Sequence, residues 1–219
     1  MEAQHPMEKQ KRSYVPHRPR PKVYNEPVHI TVHLFDGLPC LRSEPEYACI
    51  VKAIGAAQQR FGCQIVDFSV LSNHLHLILE AQDAERLSQA MKGLLVRIAR
   101  GLNKLWKRKG SIFRERFNCV VMKTVAHIRR TVTYVLQNAR KHGIRLPRDT
   151  PDPYSSAPWY TRWLGRDQPF RTEGSPVAKP RTLAMDTAFY GFTIDLNEVP
   201  GKYNDYSDNP GVEELLQLE

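Results

Sequence analysis

Two histidines separated by one residue, His74 and His76, are the first feature of the sequence that could support chemistry. They lie in the segment NHLHLILE, whose alternating leucines are typical of a strand. Side chains two positions apart on a strand point to the same face, so the two imidazoles should project side by side. Neutral imidazoles this close suit a divalent metal ion. The chain holds eight histidines, however, so a chance pair without a metal role stays open.

A tyrosine and an asparagine four residues apart, Tyr134 and Asn138, form the second candidate set. On a helix this spacing places both side chains on one face. A phenol can act as a covalent nucleophile, and an amide oxygen can serve as a metal ligand beside it. The alternative is a tyrosine packed on a sheet with an asparagine at its rim. His127, seven residues earlier, could be a further ligand or base, or could simply pack or face solvent.

Positive charge is concentrated in one part of the chain. The net charge is +9, and the stretch 86–148 holds 17 Lys and Arg residues against one acid, Glu115. Such segregation indicates a polyphosphate partner, with nearby aromatic side chains able to stack unpaired bases. A solvated basic face, or a patch for an acidic protein or lipid, is the alternative. The predicted DNA-binding residues are Lys104, Lys107, Arg108, Lys109, Arg114, Arg116, Arg130, Arg140 and Lys141.

The elements that must position these residues follow from hydrophobic periodicity. Asp83 and Thr124 are suited to cap helices, and Gly62 and Gly143 are suited to end them. The order is strand, helix, two strands joined by a tight turn, helix, strand and helix. This order predicts an α+β fold in which helices pack on an antiparallel sheet. The predicted strands are 28–35, 64–71, 74–80 and one entered from 113–122, and the predicted helices are 44–61, 84–106 and 125–142.

Length and composition predict one soluble domain with tails. Residues 1–27 form a basic, proline-rich arm that we expect to be disordered, 28–146 the catalytic domain, and 147–219 an irregular extension with an acidic tail. Four widely spaced cysteines argue against a zinc clip or a disulfide framework and suit a reducing cytoplasm. No apolar stretch is long enough for a membrane helix, so we expect no membrane partner.

Taken together, these motifs resemble the REP-associated tyrosine transposases of the HUH single-strand DNA transposase superfamily. The matching segments are NHLH at 73–76, KGSIFRERF at 109–117, YVLQNARKHGI at 134–144 and DPYSSAPW at 152–159, in the family's order and spacing. The resemblance covers about 60% of the chain, from 27 to 163. This sequence departs from the family pattern in its first strand, in Ala139 where a proline is common, and in Tyr154 where a tryptophan is usual.

The resemblance implies a ferredoxin-like sheet with the H-x-H strand at its centre and the tyrosine helix across the site. It implies that Tyr134 is the nucleophile and that His74, His76 and Asn138 hold Mg²⁺ or Mn²⁺. The expected function is metal-dependent cleavage and rejoining of single-stranded DNA through a 5′-phosphotyrosine intermediate. The expected substrate is a hairpin or palindromic repeat, and the enzyme would act as a monomer or homodimer in the bacterial cytoplasm, associated with the nucleoid.

Two other functions stay open at this point. The first is a catalytically silent protein, derived from a transposase, that binds single-stranded DNA or RNA hairpins. The second is an unrelated metal-dependent hydrolase. A hydrolase would need a third histidine or an acidic ligand near the pair, and the stretch 86–148 offers only Glu115.

Overall fold

Four strands form one antiparallel sheet in a computed structural model that describes residues 21–58, 60–190 and 192–201. The strand order is β2-β3-β1-β4, so the strand that carries the two histidines is an interior strand. The strands are β1 (Tyr24–His33), β2 (Cys63–Val70), β3 (His74–Asp83) and β4 (Asn118–Val121). Helices follow β1 and β3, which completes the ferredoxin-like arrangement that the sequence predicts.

Five helices accompany the sheet in the described part of the chain. The side chain of Asp83 accepts a hydrogen bond from the backbone N–H of Arg86, and that of Thr124 accepts one from His127, so both predicted caps are confirmed. The helices are α1 (Glu44–Ala57), α2 (Ala84–Leu105), α3 (Val125–Leu136), α4 (Asn138–Lys141) and α5 (Leu183–Tyr190).

Three predicted boundaries are wrong. The first strand starts at Tyr24 rather than at 28, because residues that the sequence suggested were part of the arm pair with β3, Tyr24 opposite Asp83. The first helix ends at Ala57 rather than at 61, since Gln58 leaves helical geometry with ψ of 139°. Phe61, inside a short 3₁₀ turn, is left-handed with φ of 56°. The predicted helix 125–142 is interrupted at Gln137 and becomes α3 and α4.

The sheet separates two hydrophobic cores. Leu75, Leu77 and Leu79 leave one face of β3 and pack with α1 and α2, as predicted from their alternation. Ile78 leaves the other face and packs with α3, α5 and the C-terminal extension. The residues that alternate with these leucines along β3, including His74 and His76, therefore point to the face that α3 covers.

The C-terminal extension is tied to the domain by buried polar contacts as well as by apolar packing. The guanidinium of Arg42 donates two hydrogen bonds to the carboxylate of Asp152, at 2.8 and 2.7 Å. The carboxylate of Glu80 on β3 accepts from the backbone N–H groups of Arg181 and Thr182, each at 2.8 Å. Trp163 is fully buried in the second core. The extension thus lies against the same face of the sheet as α3.

The extension is less irregular than the sequence suggests, because it contains α5 and a 3₁₀ turn at Ala157–Trp159. The segments 1–20 and 202–219, to which the disordered arm and the acidic tail were assigned, lie outside the described residues. All four cysteines are free thiols. Within the described residues, no helix combines the length and the apolar character needed to cross a bilayer.

Candidate active site

Two histidines of β3 and one tyrosine of α3 meet on one face of the sheet. The ring centroids of His74 and His76 are 5.0 Å apart, as expected for neighbouring side chains on one face of a strand. The ring of Tyr134 stands perpendicular to that of His76, with centroids 5.3 Å apart. All three side chains are buried. The phenol and the imidazole pair, which the sequence places 58 residues apart, therefore share one site.

Asn138 is fully buried one helical turn after Tyr134. Neither its amide oxygen nor its amide nitrogen has a hydrogen-bond partner among the described residues. A buried amide with both groups unsatisfied is costly, which makes Asn138 a candidate to bind a metal ion.

The two nitrogens of the His76 ring have different surroundings. Its Nδ1 lies 3.0 Å from Nε2 of His29 and 3.3 Å from Oγ1 of Thr31. Its Nε2 is buried and has no partner in the described residues. Burial, reinforced by the neighbouring imidazoles, holds the pKa of His76 well below its ordinary value. The ring is therefore neutral at physiological pH, which is the form that binds a metal ion.

Three further histidines surround the pair, and the sequence reasoning did not include them in the site. His29 stacks on His76 with centroids 5.1 Å apart, and His33 stacks on His74 at 5.0 Å. His142 lies 5.4 Å from His74. The spacing of these histidines in the sequence could have indicated their place in the site. His29 and His33 share one face of β1, and His142 follows Tyr134 by two helical turns.

The donor set fits a divalent cation with mixed nitrogen and oxygen preference. No three His, Cys, Asp or Glu side chains of the described residues form a metal-binding group, and an amide oxygen is a donor of another kind. The buried amide of Asn138 is such a donor, and it is unsatisfied together with Nε2 of His76. Nδ1 of His74 lies 2.9 Å from the side-chain oxygen of Asn73, which orients that ring. Two imidazoles and one amide oxygen form a donor set for a divalent cation, and the expectation of Mn²⁺ or Mg²⁺ comes from the family resemblance.

Lys141 is the predicted basic residue that lies in the site itself. Its ammonium nitrogen is 4.1 Å from the centroid of the Tyr134 ring, a cation–π contact. The neighbouring Arg140 contacts the C-terminal extension instead, where it donates hydrogen bonds to the backbone carbonyls of Pro147 and Thr150. His127, considered as a ligand or base, lies in the first turn of α3, where burial and then the charge of Arg130 lower its pKa.

The other predicted DNA-binding residues lie in three places, which are the loop 107–117, the end of α2 and, for Arg130, α3. The loop 107–117 reaches the histidine end of the sheet, because the backbone N–H of Arg114 donates to the carbonyl of His33. Lys104 lies in the last turn of α2, on the opposite face of the sheet from Tyr134. The side chains of Lys104, Lys107, Lys109, Arg114, Arg116 and Arg130 are exposed, whereas Arg108 is half-buried.

Comparison with known proteins agrees with this architecture. The chain is similar to the solved structure of a REP-associated tyrosine transposase bound to a REP hairpin, with 20% sequence identity, a TM-score of 0.55, and coverage of 77% of this chain and 100% of that chain. This similarity confirms the predicted fold. A putative transposase from Deinococcus radiodurans R1 matches with 15% identity and a TM-score of 0.39, over 53% of this chain and 95% of that chain.

The sequence itself identifies the family. No curated protein matches the chain. Residues 25–138, from the second residue of β1 to the first residue of α4, match the family described as Transposase IS200 like. The match spans more than half of the 219 residues and includes both histidines, the tyrosine and the asparagine. The chain therefore belongs to the IS200-like transposase family.

Proposed function

We propose that this protein cuts and rejoins single-stranded DNA with Tyr134 as its nucleophile. The observation that carries the proposal is the contact of the Tyr134 ring with a neutral His76 whose Nε2 is buried and unsatisfied. A buried tyrosine that merely packed would need no such neighbour. The unsatisfied amide of Asn138, one turn away, supports the same assignment.

The reaction is a transesterification that keeps the energy of the phosphodiester. The oxygen of Tyr134 attacks the phosphorus and loses its proton, the bond to the 3′ oxygen breaks, and that oxygen takes up a proton to leave as a 3′-hydroxyl. The product is a 5′-phosphotyrosine. Attack by another 3′-hydroxyl reverses the step and joins two strands, so no nucleotide cofactor is required.

His74, His76 and Asn138 are the residues that would hold a divalent cation. When bound, Mg²⁺ or Mn²⁺ supplies Lewis-acid stabilisation of the charge on the reacting phosphate. The protein contributes the rest. Lys141 lies against the phenol ring and adds positive charge beside it. The cations of the loop 107–117 would bind the DNA backbone.

The proposed substrate is a DNA hairpin with a single-stranded flank. The similar structure described above is that of a transposase bound to a REP hairpin, which makes a palindromic repeat the first substrate to test. The basic residues of the loop 107–117 lie at the histidine end of the sheet, where a flank entering the site would pass them. We propose that the enzyme works as a monomer or homodimer in the bacterial cytoplasm.

The decisive experiment compares Tyr134→Phe with the parent in an adduct assay. Labelled hairpin DNA with a single-stranded flank is incubated with protein and Mn²⁺, and covalent protein–DNA species are resolved on denaturing gels. We expect Tyr134→Phe to lose the adduct and to keep its DNA affinity within a few-fold. Tyr154→Phe, which changes a half-buried tyrosine that contacts Arg42, is the matched control and should retain the adduct.

Two outcomes would contradict the proposal. An adduct that persists in Tyr134→Phe would assign the nucleophile to another residue. Binding of the hairpin by the parent without any adduct, with Mn²⁺ present, would favour the silent hairpin-binding protein instead.

A further inference from the structure

The hydrogen bond between two buried imidazoles, His29 and His76, has a direction that the chemistry of the site restricts. The distance between Nε2 of His29 and Nδ1 of His76 is 3.0 Å, and both rings are buried. A neutral imidazole carries one proton and one lone pair on its two nitrogens. One of the two facing nitrogens must therefore donate and the other accept.

The two possible directions of this hydrogen bond leave different groups at Nε2 of His76. If His29 donates, the lone pair of His76 is used at Nδ1, and Nε2 carries a proton. That N–H would be buried without an acceptor, since Nε2 has no partner among the described residues. If His76 donates from Nδ1, its Nε2 presents a lone pair to the site. The lone pair is satisfied when a cation binds, whereas the N–H is not.

Thr31 offers a second possible acceptor for a proton on Nδ1 of His76. Oγ1 of Thr31 lies 3.3 Å from the same Nδ1, so a proton on that nitrogen has two neighbours that can accept it. Both neighbours come from β1, where residues 29 and 31 share the face that meets His76. The pairing of Thr31 with His76 in the β1–β3 register fixes this arrangement in the backbone of the sheet.

We propose that His29 is a positioning residue that accepts the Nδ1–H of His76 and thereby keeps Nε2 of His76 available as a metal ligand. Metal-binding histidines in general use their second nitrogen to donate to a fixed acceptor, which sets both the tautomer and the orientation of the ring. Here the fixed acceptor is another histidine of the neighbouring strand. The inference rests on the proposed metal role of His76, but the tautomer itself is a property of the metal-free protein.

Two measurements test the inference. Long-range ¹H–¹⁵N NMR on metal-free protein with labelled histidine distinguishes the two tautomers, and loss of the free Mn²⁺ electron paramagnetic resonance signal on titration gives the affinity for that ion. In the parent we expect His76 to carry its proton on Nδ1. We expect His29→Phe to mix the tautomers and to weaken Mn²⁺ binding by roughly 10- to 100-fold.

Companion variants separate this role from packing. His29→Gln retains a side-chain oxygen that can accept, so it should restore most of the affinity that His29→Phe loses. Because Thr31 is a second acceptor, the combination of His29→Phe with Thr31→Val should show the largest shift. His33→Phe is the matched control, since His33 stacks on His74 as His29 stacks on His76, and it should leave the His76 tautomer unchanged.

The inference is overturned if His76 carries its proton on Nε2 in the metal-free parent, or if His29→Phe and His29→Gln bind Mn²⁺ equally well. Should the parent bind no Mn²⁺, the metal role in the proposed function fails, and the NMR tautomer still decides whether His29 accepts from His76. The two failures are therefore distinguishable.

Discussion

The ammonium group of Lys141 lies 4.1 Å from the centre of the Tyr134 ring. Cation–π contacts of this kind contribute about 0.5 to 2 kcal/mol, and a nearby positive charge also favours an ionised phenol. We predict that Lys141→Met slows formation of the covalent DNA adduct by roughly 2- to 30-fold, which is the rate equivalent of that energy. Lys141→Arg, which keeps the charge, should retain most of the rate. Single-turnover adduct formation at saturating DNA is the measurement, and equal rates for both variants would contradict the prediction.

The buried carboxyl of Asp67 makes the stability of the fold depend on pH. Burial raises the pKa of Asp67 to about 7, although a hydrogen bond from the Ser156 hydroxyl opposes the shift. Between about pH 4 and 7 the Asp67 carboxyl is protonated in the folded state and ionised in the unfolded state. The free energy of unfolding therefore falls as pH rises through that window, by at most about 4 kcal/mol.

Asp67→Asn should remove this dependence, because the amide stays neutral and can still accept from Ser156. We expect the variant to be more stable than the parent at pH 8 and to differ little from it at pH 4, as measured by urea denaturation. Asp167→Asn, at an exposed position of the extension, is the control and should leave the pH profile unchanged. A parent whose stability does not fall between pH 4 and 7 would contradict the account.

Gly101 on α2 allows close approach of α1. A Cβ added at Gly101 would overlap the sulfur of Cys49, whereas one added at Gly55 on α1 would meet nothing within 4 Å. We predict that Gly101→Ala lowers the free energy of unfolding by about 1 to 3 kcal/mol. Gly55→Ala should instead raise it by about 0.5 to 1 kcal/mol through helix propensity. Combining Gly101→Ala with Cys49→Ala should recover the loss in urea denaturation, and failure to recover it would show that another contact is responsible.

The ion pair of Arg42 with Asp152 should be a main attachment of the extension. The side chains of the two residues are 10% and 1% exposed, so removing the carboxylate leaves a largely buried guanidinium without its partner. We predict that Asp152→Ala destabilises the fold by about 3 to 5 kcal/mol. Glu115→Ala breaks the half-exposed pair with Arg114 and should change stability little. Thermal unfolding followed by circular dichroism compares the two, and similar losses in both would contradict the argument.

Local patterns predicted the elements that hold the chemistry. The alternation in NHLHLILE predicts both the strand and the shared face of His74 and His76, and polar caps predict where α2 and α3 begin. These features depend on residues close together in sequence, where period and capping chemistry determine the backbone. The family and fold suggested by the motifs are confirmed.

The surroundings of the histidine pair depend on contacts that local patterns do not specify. His33 faces His74 and Thr31 faces His76 because β1 pairs with β3 in one particular register, about 45 residues apart in sequence. A shift of that register by one residue would turn the side chains of Thr31 and His33 toward the core on the other face of the sheet. The alternation of His29, Thr31 and His33 is visible in the sequence, but the strand pairing determines which residues of β3 these side chains contact.

The interruption between Tyr134 and Asn138 coincides with a contact to the C-terminal segment. Gln137 departs from helical geometry with φ of −104° and ψ of 15°, and its side-chain amide donates to the backbone carbonyl of Asp195 at 2.7 Å. A chain shortened before 192 would lose that contact, so we expect the conformation of Gln137, which lies between the phenol and the amide in sequence, to be less well fixed. Ile194 and Leu196 of the same segment are buried in the second core, so we expect its removal to lower both the stability of the fold and the rate of adduct formation.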